Sequence, residues 1–291
     1  MLRVETILHP TDFSACARAA FAHALRMARH YGATLHVLHA APSLGEDPIR
    51  SAYDFGAGNE RVVREMEQVK QRAERMIAAW IEEAGIEGLG TVRAYERGIA
   101  PGPVILDYAA RHDVDLIVMG THGRRGVKRL LLGSVAEEVV RQAPCSVLTV
   151  RGEQEALAPP PPIERVLVPV DLSVFTEPLF RTAREVAAAY GARIDLLHVV
   201  EPLPFPVSLV GGVTLHDLVS DPAAQAAEQL AHLIETADGP AVAVEPHVEE
   251  GHAAAAIVER ATALGSDLIV IASHGLSGLE GLLLGSVTAR V

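Results

Sequence analysis

Residues 115–135 run Asp115-Leu-Ile-Val-Met-Gly120-Thr121-His122-Gly123-Arg124-Arg125-Gly-Val-Lys128-Arg129-Leu-Leu-Leu-Gly133-Ser134-Val135. A short apolar run stops at Gly120, a loop carrying four cations follows, and Gly133-Ser134 opens a segment that reads as a helix. Small residues let a backbone come close to a ligand, and a helix start offers unpaired N–H groups and a positive dipole end. The chemistry this suits is the holding of phosphate. Arg124, Arg125, Lys128 and Arg129 would add charge-assisted hydrogen bonds worth about 1.5–3 kcal/mol each. The competing reading is a left-handed turn, a helix cap and a solvated basic loop.

The pattern returns at 267–287 as Asp267-Leu-Ile-Val-Ile-Ala272-Ser273-His274-Gly275, then nine residues to Gly285-Ser286-Val287. Asp12 and Asp171 lie 159 residues apart, as do His39 and His198, whereas Gly123 and Gly275 lie 152 apart. The chain is therefore a duplication that has lost seven residues from its variable middle. The second copy is the poorer cradle. Ala272 stands where Gly120 stands, and Glu280 replaces the cations as the charged residue of the loop. A second candidate group is the turn Pro10-Thr11-Asp12, where a carboxylate suits a neutral donor such as an amino or hydroxyl group; its structural alternative is to cap the next helix. His122 and His274 precede the second glycine with either a backbone-bonding or a ligand role open. His39 and His198 read as satisfied strand-end residues.

The elements that must position these groups follow from periodicity. Strands are expected at 6–10, 34–40, 91–96, 115–119 and 146–150, and helices at 15–31 behind a Ser14 cap, 59–84 and 103–111. Residues 41–58 read as a long surface loop. Nearly continuous Val, Ile and Leu strands alternating with helices imply a parallel sheet covered on both faces. In such a sheet ligands bind beyond the carboxyl ends of the strands where strand order reverses, and both candidate groups follow carboxyl ends. Pro159-Pro-Pro-Pro162 ends a stiff spacer, which sets the domains at 1–151 and 163–291 with a linker over 152–162. The second copy runs five residues past Ser286, against 17 past Ser134 in the first. It is expected to lack its last strand, through a shortened chain or a four-stranded sheet with a rougher edge.

Composition narrows the class. A formal charge of −12 disfavours nucleic acid and anionic lipid, so an anionic ligand has to be caught by local groups. Two cysteines, and no apolar run near 18 residues, point to a soluble cytoplasmic protein without a membrane partner. Thirteen histidines show no metal-ligand spacing, and no metal site is expected. Cys16 and Cys145 read as inert. The P-loop, Gly-x-Gly-x-x-Gly and Gly-x-Ser-x-Gly patterns are missing.

At these residues the chain resembles the universal stress protein family. Pro10-Thr11-Asp12-Phe13-Ser14 is similar to that family's opening turn, and Gly120-x-x-Gly123, nine residues, Gly133-Ser134 is similar to its ATP-binding signature. The likeness covers both halves apart from the linker and variable loops. It implies an α/β fold of two tandem doubly wound domains, each with a parallel sheet of about five strands in the order 3-2-1-4-5. By position, it implies that Asp12 and Ala40 meet adenine, Gly120 the ribose, and Gly123, Gly133, Ser134 and Val135 the phosphates, with Pro10, Thr11, His122 and Arg124 beside them. In the second half Asp171, Val199, Gly275, Gly285, Ser286 and Val287 match, and Ala272 departs. The resemblance implies ATP, with ADP or AMP as alternatives and Mg²⁺ accompanying the nucleotide, and pairing of the two domains within the chain or in a homodimer. The expected function is a nucleotide-dependent regulatory module with an unknown protein partner and no catalytic residue. A slow ATPase or phosphotransferase, with Arg124 or Lys128 stabilising developing charge, is the second reading. A nucleotide-free dimerising scaffold is the third.

Overall fold

A computed structural model describes residues 4–42, 58–86, 88–122, 132–201, 221–273 and 285–291. The chain divides into two compact units, one ending at Pro160 and the other spanning Pro161–Val291.

The first unit contains β1 (Thr6–Pro10), α1 (Ala15–Tyr31), β2 (Thr34–Pro42), α2 (Gly58–Glu83), β3 (Thr91–Gly98), α3 (Pro101–Arg111), β4 (Leu116–Gly120), α4 (Ser134–Gln142) and β5 (Ser146–Val150). Its five strands are parallel, in the order β3-β2-β1-β4-β5. Side chains alternate across the sheet. Leu8, Leu38 and Ile117 pack on one face with Ile105 and Tyr108 of α3 and Val139 of α4. His9 points to the other face, against Phe21 of α1 and Trp80 of α2. Covering both faces is what demanded apolar runs, and each large side chain buried there contributes roughly 1.5–3 kcal/mol. Helix α1 starts where Ser14 Oγ accepts from the Ala17 amide, and its sheet-facing side is mostly alanine, which lets it lie close. Helix α3 begins at Pro101, two residues before its expected start, because proline's fixed φ suits the first helical position. The expected 41–58 loop falls largely on 43–57, outside the described residues.

The second unit contains β6 (Arg165–Val170), α5 (Thr176–Tyr190), β7 (Arg193–Val200), α6 (Pro222–Thr236), β8 (Val244–Glu250), α7 (Ala253–Leu264) and β9 (Leu268–Ile269). Among the described residues its sheet has four strands, in the order β8-β7-β6-β9. Strand β9 is two residues long where β4 has five. The reason lies in its neighbours: β4 is laddered to both β1 and β5, while β9 pairs with β6.

The two interiors differ in charge at one matched pair of strand positions, 36 and 195. In β7, Asp195 is fully buried; Arg165 Nε donates to its Oδ2 at 2.7 Å, Arg165 Nη2 to its Oδ1 at 3.2 Å, and His247 Nε2 lies 2.9 Å from Oδ1. Burial alone would raise this carboxyl, but the bonds from Arg165 and then His247 outweigh it and hold it below its ordinary value. Asp195, Glu245 and His247 could together hold a metal ion by spacing, yet Arg165 occupies both Asp195 oxygens. The matching residue of β2, 159 positions earlier, is His36, whose Nδ1 lies 3.0 Å from Tyr108 Oη.

Two predictions follow from these interiors. Asp195→Ala removes the carboxylate that both Arg165 nitrogens bond, with Glu245 still acting on the guanidinium, and is expected to cost about 1.5–3 kcal/mol in urea unfolding; a loss under about 1 kcal/mol would contradict the ion pair's role. Burial pushes the His9 and His23 imidazoles down to about 4, opposed at His9 by the bond to Val118 O. Both are neutral in the fold and take up protons in the unfolded chain below its ordinary value of 6.5. Stability therefore falls as pH drops from 6.5 towards 4, by up to about 3 kcal/mol for His9. His9→Val, which introduces the side chain that Val168 carries 159 residues on, is expected to flatten that slope in unfolding curves across this range. An unchanged slope would contradict the assignment.

Candidate functional site

Strands β1 and β4 are neighbours at the point where strand order reverses, and the chain leaves both at the same edge of the sheet. The turn after β1 is tightly bonded. The Thr11 amide donates to Leu38 O at 2.8 Å, the Phe13 amide to Thr11 Oγ1 at 3.0 Å and the Ser14 amide to Asp12 Oδ1 at 3.0 Å. Asp12 thus shapes the turn, and Ser14 caps α1. Phe13 takes a left-handed φ of 63° and lays its ring 4.8 Å from that of His39. His39 donates from Nδ1 to Thr11 O at 2.7 Å. The second unit repeats this device: the Ser173 amide donates to Asp171 Oδ1 at 3.1 Å, Leu172 has a φ of 58°, and His198 donates to Val170 O at 2.9 Å. The strand-end histidines are satisfied by the turns they hold.

The other wall is built from the ends of the glycine-rich loop. The Thr121 amide donates to Val150 O at 3.0 Å, and the Gly133 amide to Thr121 O at 2.8 Å. A Cβ on Gly133 would stand 3.0 Å from that same carbonyl. Helix α4 then begins at a glycine N-cap, which has no side chain to accept from the first-turn amides. Its first-turn amides have no partner within the helix, so the dipole end is open to an anion. Ser134 is exposed. Ala40 and Val135 pack against the core, so main-chain groups are what they can offer a ligand. His122 Nδ1 lies 2.9 Å from Thr121 Oγ1. Gly123, Arg124 and the rest of the basic cluster lie outside the described residues, as do Gly275, His274 and Glu280.

The second unit closes its loop identically, with the Gly285 amide donating to Ser273 O at 2.8 Å. Ser286 is exposed, and Val199 and Val287 pack on Leu167, Leu197 and Ile257. Thr288 Oγ1 donates to Ala272 O at 2.7 Å, a bond for which Ala136 offers no hydroxyl in the first unit. The structure therefore brings together Pro10, Thr11, Asp12, Ala40, Gly120, His122, Gly133, Ser134 and Val135 at one sheet edge. It brings Asp171, Val199, Gly285, Ser286 and Val287 to the matching edge of the other.

Two features were not legible from motifs. Cys16, read as inert, packs beneath the site, its Sγ donating to Val150 O at 3.4 Å and lying 4.0 Å from Thr121 Oγ1. A Cβ on Gly120 would fall 2.9 Å from that sulfur and 3.0 Å from the Cys16 carbonyl carbon. Packing against α1 thus accounts for Gly120 with no ligand present. In the second unit Glu201 Oε1 accepts from the Ala253 amide at 3.0 Å, placing a carboxylate at the start of α7. Cys145, also read as inert, is pushed up to about 11 by burial and then by Asp115. No helix among the described residues is long and apolar enough to cross a membrane.

The sequence model of the universal stress protein family matches residues 3–151 and 162–291. A universal stress protein of Methanocaldococcus jannaschii is 32% identical over 150 residues, covering 50% of this chain and 82% of that protein. One of Mycobacterium tuberculosis is 30% identical over 194 residues, covering 66% of this chain and 62% of its own length, so this chain spans less than two thirds of it. The crystal structure of a universal stress protein from Archaeoglobus fulgidus aligns with 98% of this chain and 91% of its own, at 21% identity and a TM-score of 0.59. That likeness is one of fold.

Gly120→Ala is expected to lower stability by about 1–3 kcal/mol with no ligand present, through overpacking against Cys16. Adding Cys16→Ala should recover part of the loss, since backbone atoms of Cys16 also obstruct the new methyl. Thermal melts check both; a Gly120→Ala chain as stable as its parent would remove the packing explanation.

Proposed function

The chain belongs to the universal stress protein family, and from that premise we propose that its N-terminal unit is a nucleotide-dependent regulatory module that holds ATP between the ends of β1 and β4. The observation that carries the reading is the uncapped start of α4, locked beside the strand end by the bond from Gly133 to Thr121. The residues there fit a phosphate chain: the entry is small, Ser134 is exposed, and the glycine N-cap brings no side chain of its own to the first-turn amides. Asp12 and the main chain of Ala40 would face the base, Gly120 the ribose, and Gly123, Gly133, Ser134 and Val135 the phosphates, with His122 and Arg124 adjoining. Pro10 and Thr11 hold the turn. Mg²⁺ accompanying the nucleotide would offset part of the phosphate charge.

The second site, with Asp171, Val199, Gly275, Gly285, Ser286 and Val287, is proposed to bind the same ligand more weakly. Ala272 and the loss of loop cations both work against an anion there. In this reading the domains are 1–151 and 163–291 joined by 152–162. The protein works in the cytoplasm, pairs its domains within the chain or as a homodimer, and signals to a protein partner through its variable segments.

Ser134→Pro tests the cradle. Gly133 already has φ −75° and ψ 155°, the extended conformation a following proline requires, and proline is favoured at the first helical position. The substitution removes one amide and leaves the helix. Titration calorimetry with ATP, ADP and AMP is expected to show binding to the parent chain and about a 10-fold or greater loss for Ser134→Pro at unchanged helix content. No heat with the parent chain, or undiminished affinity in the variant, would overturn the assignment.

A further inference from the structure

The linker expected as a stiff spacer is bound to the first unit over its initial half. Strand β5 ends at Val150, whose carbonyl accepts from the Thr121 amide and the Cys16 thiol. Gly152 then takes a φ of 119°, which permits the chain to turn off the sheet. The Gln154 amide donates to Ala15 O, at the first residue of α1, at 3.0 Å. The Leu157 amide donates to Glu83 Oε1 at 3.1 Å. Glu83 sits at the end of α2 and receives Arg18 Nη1 on its other oxygen at 2.9 Å. These bonds hold the segment along α1, and what remains between Leu157 and the buried Ile163 is Ala158 and four prolines.

The same anchors reach the turn that carries Asp12. The Arg18 guanidinium lies over the Trp80 ring, 4.6 Å from its centroid. Trp80 meets the Phe13 ring edge-on at 5.6 Å, and Phe13 stacks beside His39, which fixes Thr11 O. One side of α1 therefore carries the docked segment, and the other end of the same contacts carries the turn.

We propose that residues 151–157 form a strap whose docking on α1 and α2 is coupled to occupancy of the β1–β4 crevice, so that ATP binding and strap docking strengthen each other. The coupling rests on the nucleotide reading above; the docking does not. Docked, the strap shortens the tether ahead of the second unit to the stiff tetraproline; released, it adds seven flexible residues, 151–157. The nucleotide would in this way set the freedom of the tether.

Amide hydrogen exchange by mass spectrometry on the full chain, with and without ATP, reads the strap directly in peptides covering 151–157. Protection is expected without ligand, increasing about two- to five-fold on ATP, a range set by contacts that are largely exposed. Glu83→Ala and Glu83→Gln should speed exchange at 154–157 while the β1–β5 peptides stay protected. By reciprocity they should weaken ATP in calorimetry by the factor through which ATP protects the strap. Strap amides exchanging at random-coil rates in the parent chain would overturn the docking. ATP binding with no change in strap exchange, and equal affinity in the Glu83 variants, would overturn the coupling while leaving the nucleotide reading intact. Absence of ATP binding would overturn that reading and the coupling together, with the docking still judged by the Glu83 variants.

Discussion

A single main-chain hydrogen bond, Gly133 N–H to Thr121 O, fixes where a helix starts relative to where a strand ends, and the candidate site depends on that relation. It brings the open end of α4 to the edge of β4 and holds it there without any ligand. Its twin, Gly285 N–H to Ser273 O, has the same 2.8 Å length in the second unit. A Cβ on Gly133 would stand 3.0 Å from the Thr121 carbonyl oxygen, tighter than most side-chain carbons come to a neighbour. Glycine at that position thus eases the closure of the loop with no ligand present.

The duplication separates scaffold from specialisation. What both halves keep is backbone bookkeeping: the left-handed residue in the first turn, the histidine that pins it, and the glycine that closes the loop. What they change is charge. The first unit places a neutral His36–Tyr108 contact where the second buries Asp195 with Arg165 and His247. In the matching loop the second unit carries Ala272 where the first has Gly120, and Glu280 where the first has four cations. One frame thus carries different buried charges in its two copies.

Much of this was legible in the residues. The apolar runs at Ile7-Leu8 and Leu116-Met119 announced buried parallel strands, and the repeat of Gly, nine residues, Gly-Ser announced the crevice edge. The strand order and helix cover follow from those patterns together with the family resemblance. Less legible was whatever depends on contacts distant in sequence. Nothing near Gly120 says that its missing side chain accommodates Cys16. The proline-rich spacer reads as stiff, but composition carries no sign that Glu83, far upstream, holds the Leu157 amide. Strand β9 reads as long as β4, since periodicity cannot count ladder partners. Asp12 illustrates the middle case: its residue type suggested a ligand or a cap, and the fold gives it the turn, with Ser14 as the cap.

The central claim is that the first-turn amides of α4 receive the phosphates. Amide ¹H–¹⁵N spectra of the labelled chain during an ATP titration address it residue by residue. The account predicts that Ser134, Val135 and Ala136 shift most and together, with Asp12 following and the matching Ser286 and Val287 moving at higher concentration or not at all. Shifts concentrated elsewhere while α4 stays still would contradict it.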